Sequence, residues 1–267
     1  MTESATDPDQ PPAGVLAAFG ASAPLPPLTG GRGLTWRSGS IVLRPIEGDA
    51  EAEWKSAVLA DVPTNDAFTV PRPLRAASGR WVHAGWQAMA WIPGAAAERR
   101  LADVIRAGAA FHDAIASQPR PSFIDDATDA WSVADRIAWD EAPGPDDALS
   151  AQLRAEYRPV SLPSQVIHGD LLGNVLFAPD RPPAIIDWAP YWRPAGFGAA
   201  VAAADAACWH GLPLEELRND YGNAHWRQLL LRALIFRIAT LQLNGYRNDA
   251  QVARLIPVAR AVIALGE

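Results

Sequence analysis

The sequence predicts an α+β fold in which a small, strand-rich first part precedes a larger, helix-rich second part. In the first part, the segments LTWR, SIVLRPI and RWVHAGWQAMAWI are apolar or alternate between apolar and polar residues, as antiparallel strands do. Residues 92–94, Ile-Pro-Gly, interrupt this pattern, and apolar residues then recur at helical spacing in ERRLADVIRAGAAFHDAIAS. The chain is therefore expected to divide near residue 93 into two packed parts, with a ligand-binding cleft between them.

The elements of the first part follow from local signals. A short helix is expected at residues 15–19, and LTWR and SIVLRPI are expected to pair through a turn at Ser38-Gly39. Asp49 is expected to cap the helix of DAEAEWKSAVLADV, with further acids in its first turn. DAFTVPRPLRA and RWVHAGWQAMAWI are expected to be two more strands, separated by Ser78-Gly79.

The second part is predicted to be helical around one small island of strands. The island consists of QVIH, NVLF and AIIDW, three short apolar segments within residues 165–188. Before it lies the helix that contains Leu101, Val104 and Phe111 on one face. After it, further helical segments are expected at about 198–209, 214–220, 224–243 and 250–265.

Composition and charge exclude several classes of protein. The 267 residues carry a net charge of −7 without a cluster of basic residues, which argues against a nucleic-acid partner. The longest apolar segment, LLLRALIFRIATLQL, contains Arg232 and Arg237 and is interpreted as a core helix, so no membrane span is expected. Cys208 is the single cysteine, which excludes an intrachain disulfide and a cysteine-rich metal site. We expect a cytoplasmic protein, monomer or homodimer, with a loose acidic leader at residues 1–14.

A cluster of polar residues at the strand ends of the island carries the predicted chemistry. His168-Gly169-Asp170 ends the first strand, Asn174 opens the second, and Asp187 ends the third. Asn174 and Asp187 are oxygen ligands of the kind that Mg²⁺ takes, and Asp170 is suited to accept or orient a hydroxyl proton. Asp, Asn and Gly also favour turns for local reasons, so each of these residues alone is compatible with a purely structural role.

HGDLLGNVLF followed by IIDW resembles the catalytic core of the aminoglycoside phosphotransferase and choline-kinase-like family, over residues 168–188. The resemblance implies a bilobal protein-kinase-like fold, with a small antiparallel-sheet N-lobe at residues 15–92 and a larger helical C-lobe at 93–267. It implies ATP and Mg²⁺ as cofactors and phosphotransfer to a hydroxyl of a small-molecule acceptor: a sugar, an aminoglycoside-like compound or an amino alcohol. The sequence does not distinguish among these acceptors, or ATP from GTP.

The resemblance also implies a role for each matched residue. Asp170 would be the catalytic aspartate that faces the acceptor hydroxyl, and Asn174 and Asp187 would hold Mg²⁺. His168 would support the loop through hydrogen bonds. Other residues would bind the nucleotide: the glycines Gly30, Gly31 and Gly33 over the phosphates, and the hinge at residues 87–91, with Gln87, Met89 and Trp91.

Two positions depart from the family pattern. Arg44 stands where a phosphate-binding lysine is usual, paired with Glu53 or Glu51 on the next helix. Gly198 stands where an acid often opens the helix after the metal-binding aspartate, and the next acid is Asp205. Because a guanidinium reaches and aims differently from an ammonium, Arg44 leaves open a pseudokinase or nucleotide-binding regulatory module without turnover. A second alternative is a structural or partner-binding protein that kept the fold and lost the ligand.

Other polar and aromatic residues have simpler interpretations. Trp131 and Trp139, with acids nearby in Asp135, Asp140 and Glu141, are candidates for an acceptor pocket, but packing is the favoured interpretation of most tryptophans here. His112, next to an apolar helix face, is interpreted as a packing residue with satisfied hydrogen bonds and not as a metal ligand.

Overall fold

The computed structural model describes residues 10–22, 27–28 and 33–266, which belong to two compact units. The first, here called the sheet unit, comprises the residues up to Asn65 and Thr69–Gly94. The second, the helical unit, comprises Asp66–Phe68 and the residues from Ala95 onward. The fold class is α+β, with a small antiparallel sheet in one unit and mostly helices in the other.

The sheet unit is built around β5, which pairs with three other strands. Its elements are α1 (Ala13–Ala18), β1 (Trp36–Ser38), β2 (Ile41–Pro45), α2 (Asp49–Asp61), β3 (Pro73–Leu74), β4 (Val82–His83) and β5 (Trp86–Ala90). The sheet order is β1-β2-β5-β3, β4 also pairs with β5, and every pair is antiparallel. α1 packs on the sheet through a core of buried apolar side chains: Val15, Phe19, Trp36, Leu43, Ala76, Trp86 and Ala88.

Two tight turns explain the strand pattern of the sheet unit. The predicted turn between β1 and β2 is confirmed, with Ser38 opposite Ile41 and Gly39 at a φ of +59°. The segment predicted as a single strand, RWVHAGWQAMAWI, forms the β4–β5 hairpin instead. Ala84 and Gly85 both have positive φ, +49° and +75°, which suits the right-handed twist of a two-residue hairpin.

The first turn of α2 differs from the prediction at one residue. Gly48 precedes the helix without a capping side chain, and Asp49 is the first helical residue and not the cap. Asp49 and Glu51 in the first turn still stabilise the helix, because carboxylates interact favourably with the positive end of the helix dipole.

The described part of the helical unit contains five short strands among its helices. Its elements are β6 (Ala95–Ala96), α3 (Leu101–Ile115), α4 (Phe123–Asp126), α5 (Ala130–Ala138), α6 (Ala148–Ala155), β7 (Gln165–His168), β8 (Val175–Phe177), β9 (Ala184–Ile185), β10 (Pro190–Arg193), α7 (Gly196–Trp209), a 3₁₀ helix (Leu214–Arg218), α8 (Trp226–Leu243) and α9 (Asp249–Ile263). α8 is the central helix, since it packs against α5, α6, α7 and α9. No helix in the described part of the chain has the length and apolar character needed to cross a membrane.

The predicted single island of strands is two separate sheets. β7 pairs with β10, whereas β8 pairs with β6 and β9. His168 lies opposite Pro190 in the first sheet, and Val175 lies opposite Ile185 in the second. The two connections that carry the predicted chemistry, residues 169–174 and 186–189, therefore leave from the ends of these paired strands.

Candidate active site

The loop that follows β7 is held by the buried side chain of His168. Its Nδ1 accepts hydrogen bonds from the backbone N–H groups of Asp170, at 3.2 Å, and Ala189, at 3.4 Å. Since an N–H can only donate, Nε2 carries the ring proton and donates it to the carbonyl of Ile186 at 3.1 Å. His168 is fully buried and thus joins the Asp170 loop to the segment that leads into Asp187.

Asp170 presents a half-exposed carboxylate at this loop, with a side chain 46% exposed. Asn174 Nδ2 donates to the backbone carbonyl of Asp170 at 2.7 Å and to Asp170 Oδ2 at 3.2 Å. Arg237 Nη2 donates to Asp170 Oδ1 at 2.7 Å. The carboxylate is therefore contacted on each oxygen, while nearly half of the side chain stays exposed.

Asn174 and Asp187 come together through the pairing of β8 with β9. The N–H of Ile186 donates to the carbonyl of Asn174 at 2.9 Å, which extends the pairing of Val175 with Ile185 by one residue. Asp187 follows directly, exposed and at a φ of +49°, a left-handed conformation that aspartate tolerates better than most residues. Because Asn174 turns its amide nitrogen toward Asp170, its amide oxygen lies on the side away from that carboxylate.

These two side chains fit a magnesium ion carried by a nucleotide. Their donors are one amide oxygen and one carboxylate, and Mg²⁺ is commonly held by one or two such groups, with waters and substrate phosphates completing its shell. In the described residues, no group of three His, Cys, Asp or Glu side chains forms a cluster that could hold a metal by itself.

His112 and Gly198 support the loop from α3 and α7. His112 Nε2 accepts the N–H of His168 at 2.9 Å, and its Nδ1 bonds the carbonyl of Ala195 at 3.1 Å. Burial, with a smaller contribution from His168, lowers the pKa of His112 to about 3, so the ring is neutral. The interpretation of His112 as a packing residue is confirmed. A Cβ on Gly198 would clash with the carbonyl oxygen of His168, so the glycine permits α7 to pack against this strand end.

Two charged residues of the site were not assigned to it by sequence reasoning. Asp205 of α7 and Arg237 of α8 form a buried ion pair, and Arg237 also contacts Asp170. Each of the two residues is a charge inside an otherwise apolar helix. Charged residues are rarely buried without a partner, so this position was the signal that each has one. Asp205 and Asp170 lie 32 and 67 residues before Arg237 in the sequence. Hydrophobic periodicity relates residues only a few positions apart, so it could not predict these contacts.

The predicted nucleotide-binding residues of the sheet unit include Arg44 and Glu53. Arg44 lies in β2, opposite Gln87 of β5. Glu53 forms an ion pair with Arg80 at 3.0 Å, and Glu51 forms one with Lys55 at 2.7 Å. Each candidate acid therefore has a basic partner that sequence reasoning did not foresee, and its pairing with Arg44 stays a prediction.

Glu53 also has a structural role at the start of β4. The backbone N–H groups of Trp81 and Val82 donate to its carboxylate at 3.4 and 3.3 Å. Burial raises the pKa of Glu53, but these hydrogen bonds and the Arg80 guanidinium outweigh it and lower the pKa below its ordinary value.

The expected hinge at residues 87–91 is wrong in most of its length. Gln87 and Met89 lie inside β5, where Met89 is opposite Val42 of β2 on one side and Pro73 of β3 on the other. The pairing uses the backbone along this strand, so these residues cannot offer a hinge backbone to an adenine ring. Trp91 follows the strand, and the Arg37 guanidinium stacks over its ring at 4.3 Å from the centroid. The chain passes into the helical unit after Gly94.

The predicted glycine turn is only partly described. Gly30 and Gly31 lie outside the described residues. Gly33 is exposed at a φ of +72°, a conformation that favours glycine, and a Cβ there would meet no atom within 4 Å. Its predicted place over the phosphates stays a prediction.

The acids considered for an acceptor pocket are already neutralised by arginines. Arg193 Nε donates to both oxygens of Asp135 at 3.0 Å, and its Nη1 donates to Glu141 at 2.6 Å. Asp140 is paired with Arg154. Trp139 lies beneath the Arg193 guanidinium, 5.0 Å from the ring centroid, so this cluster has a structural role.

A cavity of about 760 Å³ in the helical unit lies away from Asp170. Arg158, Arg218, Arg227 and the first residues of α8, from Trp226, are among its lining. Arg237, which contacts Asp170, lies about three turns further along the same helix, or roughly 16 Å. We therefore do not place the acceptor in this cavity.

Comparison with known proteins identifies the family. The sequence profile of the phosphotransferase enzyme family APH matches residues 34–232, well over half of the chain and including every residue of the Asp170 site except Arg237. No curated protein matches the chain.

Solved structures of small-molecule kinases share the fold. Spectinomycin phosphotransferase APH(9)-Ia bound to AMP has a TM-score of 0.58 and 12% identity, covering 95% of this chain and 97% of its own. A thermostable mutant of aminoglycoside phosphotransferase APH(4)-Ia, in a ternary complex with ADP and hygromycin B, has a TM-score of 0.59 and 18% identity, with coverage of 95% and 98%. Amicoumacin kinase hAmiN, in complex with AMP-PNP, Ca²⁺ and Ami, has a TM-score of 0.54 and 12% identity, with coverage of 86% and 84%.

At these identities the structures establish a shared fold, which is of the protein-kinase-like kind, and the sequence profile establishes the family. The chain belongs to the APH phosphotransferase enzyme family.

Proposed function

We propose that this phosphotransferase transfers the γ-phosphate of Mg²⁺-bound ATP to a hydroxyl group of a small molecule. The observation that carries the proposal is the grouping of Asp170, Asn174 and Asp187 at neighbouring strand ends. Asn174 donates to Asp170 and is paired through its backbone with the residue before Asp187. The AMP, ADP and AMP-PNP bound to the structural relatives support a nucleotide as the donor.

In the proposed reaction, Asp170 orients the acceptor hydroxyl and receives its proton. The Oδ2 of its half-exposed side chain accepts a hydrogen bond from the hydroxyl, which directs an oxygen lone pair toward the γ-phosphorus. The bond between acceptor oxygen and phosphorus forms, the bond between the γ-phosphorus and the bridging oxygen breaks, and ADP leaves with that electron pair. The proton of the hydroxyl ends on Asp170 and passes to solvent.

Asn174 and Asp187 would hold the magnesium ion. When bound, the ion neutralises charge on the phosphate oxygens and aligns them. The amide oxygen of Asn174 lies away from Asp170, so Asn174 would bind the ion and orient Asp170 at the same time. The contributions of Arg44 and Gly33 to phosphate binding remain predictions that rest on the family resemblance.

Asp170→Asn tests the catalytic role directly. The substitution preserves shape but removes the proton acceptor, so phosphate transfer is expected to fall by about 10²–10⁴-fold. The affinity for Mg²⁺·ATP is expected to stay within a few-fold, as measured by a thermal-shift titration. Transfer is measured as ADP formation with a panel of sugars, amino alcohols and aminoglycosides, over the background with water alone.

Asp180→Asn is the matched control, since Asp180 is an exposed aspartate at a turn of the same unit, with a φ of +56°. It is expected to leave transfer unchanged. If Asp170→Asn kept wild-type turnover, the role assigned to Asp170 would be wrong.

Nucleotide binding without turnover is a second candidate function. Arg44 favours it, because a guanidinium in place of the usual ammonium aims its charge at different phosphate oxygens. This alternative predicts that Mg²⁺·ATP stabilises the protein. It also predicts that ADP does not form with water or with any acceptor in the panel.

A further inference from the structure

Arg237 bridges Asp170 to a second carboxylate. Its Nε donates to Asp205 Oδ1 at 2.7 Å, and its Nη2 contacts Asp205 Oδ2 as well. The same Nη2 donates to Asp170 Oδ1 at 2.7 Å. The guanidinium is thus held in two places by Asp205 and presents one edge to Asp170, a geometry that its planar fork of donors permits.

The Arg237–Asp205 pair is buried, whereas Asp170 is not. The side chains of Arg237 and Asp205 are 13% and 10% exposed, and that of Asp170 is 46% exposed. Burial lowers the pKa of Arg237, but Asp205 and Asp170 outweigh this effect and raise it above its ordinary value. Arg237 is therefore a fixed positive charge, anchored in α7 and α8, at the edge of an open site.

The contacts of Arg237 fix the orientation of the Asp170 carboxylate. Rotation about χ2 of aspartate is soft, and a half-exposed carboxylate has less packing than a buried one to restrict it. Asn174 contacts Oδ2 at 3.2 Å, which is longer than the 2.7 Å from Arg237 to Oδ1. Arg237 thus occupies Oδ1 and leaves Oδ2 as the oxygen available to an incoming hydroxyl.

We propose that Arg237 is the positioning residue that orients Asp170 for phosphotransfer, and that Asp205 holds Arg237 in place. The proposal rests on the function proposed above, because it assigns to Asp170 the acceptor-facing role. Asp205 and Arg237 touch neither acceptor nor nucleotide in this scheme and act only through Asp170.

Arg237→Lys tests the proposal while keeping the positive charge. An ammonium is a compact point charge and cannot contact both carboxylates through separate donors as the guanidinium does. We expect kcat for phosphate release from Mg²⁺·ATP, with water as the acceptor, to fall by about 100-fold. The KM for ATP should change by less than about threefold, because Arg237 does not contact the nucleotide.

Asp205→Asn, which loosens Arg237 without altering it, should lower kcat in the same direction and also spare KM.

Arg193→Lys is the matched control. Arg193 is likewise a buried arginine of the helical unit, and the two carboxylates that hold it, those of Asp135 and Glu141, are not part of the Asp170 site. Both Arg193→Lys and Arg237→Lys are expected to lower the melting temperature, but Arg193→Lys is expected to keep wild-type kcat. If Arg237→Lys kept wild-type kcat, or raised KM alone, the positioning role would be overturned although the proposed function stood.

Crystal structures of the wild type and Arg237→Lys give a second readout that needs no turnover. The Asp170 carboxylate is expected to rotate or become disordered in the variant, and an unchanged orientation would overturn the proposal. A wild type that neither binds Mg²⁺·ATP nor releases phosphate would instead overturn the proposed function, so the two failures are distinct.

Discussion

His168 shows how one buried side chain organises a functional loop. Its two ring nitrogens have opposite roles, since one accepts from the backbone of Asp170 and the other donates to the carbonyl of Ile186. Removal of the ring would take this partner from three partly buried backbone groups, the N–H groups of Asp170 and Ala189 and the carbonyl of Ile186, at a cost of up to about 1–3 kcal/mol each. The support that the family resemblance implied for His168 thus has a definite physical form in this chain.

The neutral ring of His112 predicts a dependence of stability on pH. Its pKa is about 3 in the folded protein, against an ordinary value of 6.5. Below pH 6.5 the unfolded chain binds a proton that the folded chain excludes, so stability is present above that pH and is lost as the pH falls toward 3. The contribution of this residue to the free energy of unfolding should decrease by about 1.4 kcal/mol per pH unit within that window.

Urea unfolding of the wild type and His112→Gln between pH 7 and pH 4 measures this slope, which should be shallower in the variant. His225→Asn is the control for replacement of an exposed histidine. Equal slopes for the wild type and His112→Gln would contradict the prediction.

At the scale of elements, α7 comes close to the end of β7 at Gly198, where a larger residue would not fit. Its sequence GFGAAVAAADAACW is almost entirely buried, and Gly198 faces the carbonyl oxygen of His168. The position where the family often has an acid is therefore used here for close packing. The charge is supplied further along the helix by Asp205, which pairs with Arg237 of α8.

Gly198→Ala is predicted to destabilise the protein by about 1–3 kcal/mol, although alanine is the better helix former. The added methyl group would meet backbone, which cannot move aside as a flexible side chain can. Thermal or urea unfolding measures the effect. Gly14→Ala in α1 is the control, since a Cβ there meets no atom within 4 Å and the change should be neutral or stabilising. A neutral Gly198→Ala would show that α7 can shift.

At the scale of the whole molecule, metal and nucleotide should stabilise the fold only together. Binding to the folded state alone at 100 times Kd contributes about 2.7 kcal/mol, which raises the melting temperature. We expect ATP with Mg²⁺ to produce this rise and ATP with EDTA to produce much less. Asp187→Ala should abolish the Mg²⁺-dependent part, and Asp180→Ala, on an exposed turn, should retain it. A full rise for Asp187→Ala would exclude that residue as the metal ligand.

Several elements could be predicted from the sequence because they depend on local chemistry. The β1–β2 turn, α3 and the three strands around Asp170 follow from turn residues, hydrophobic periodicity and short apolar runs. The spacing of Asp170, Asn174 and Asp187 indicated the family that the sequence profile confirms.

The errors arose where pairing partners decide the structure. Gln87 and Met89 were expected at a hinge, but β2 pairs with β5 from Trp86 to Ala90, and on the other side β4 pairs with Gln87 and β3 with Met89. PYWR was not predicted as a strand, and it forms β10 because β7 offers it an edge. A strand boundary depends on its neighbour, and the neighbour is distant in sequence.

The sequence by itself determined the residues that can do chemistry and the strand ends that carry them, because motif spacing and turn propensity act over a few residues. Only the tertiary structure decided which charges meet. From the sequence alone, Arg237 would be assigned only to a core helix, and Asp205 would be given no role. Packing of α8 against α7 brings both to Asp170, since a buried charge is stable only where the fold supplies its partner.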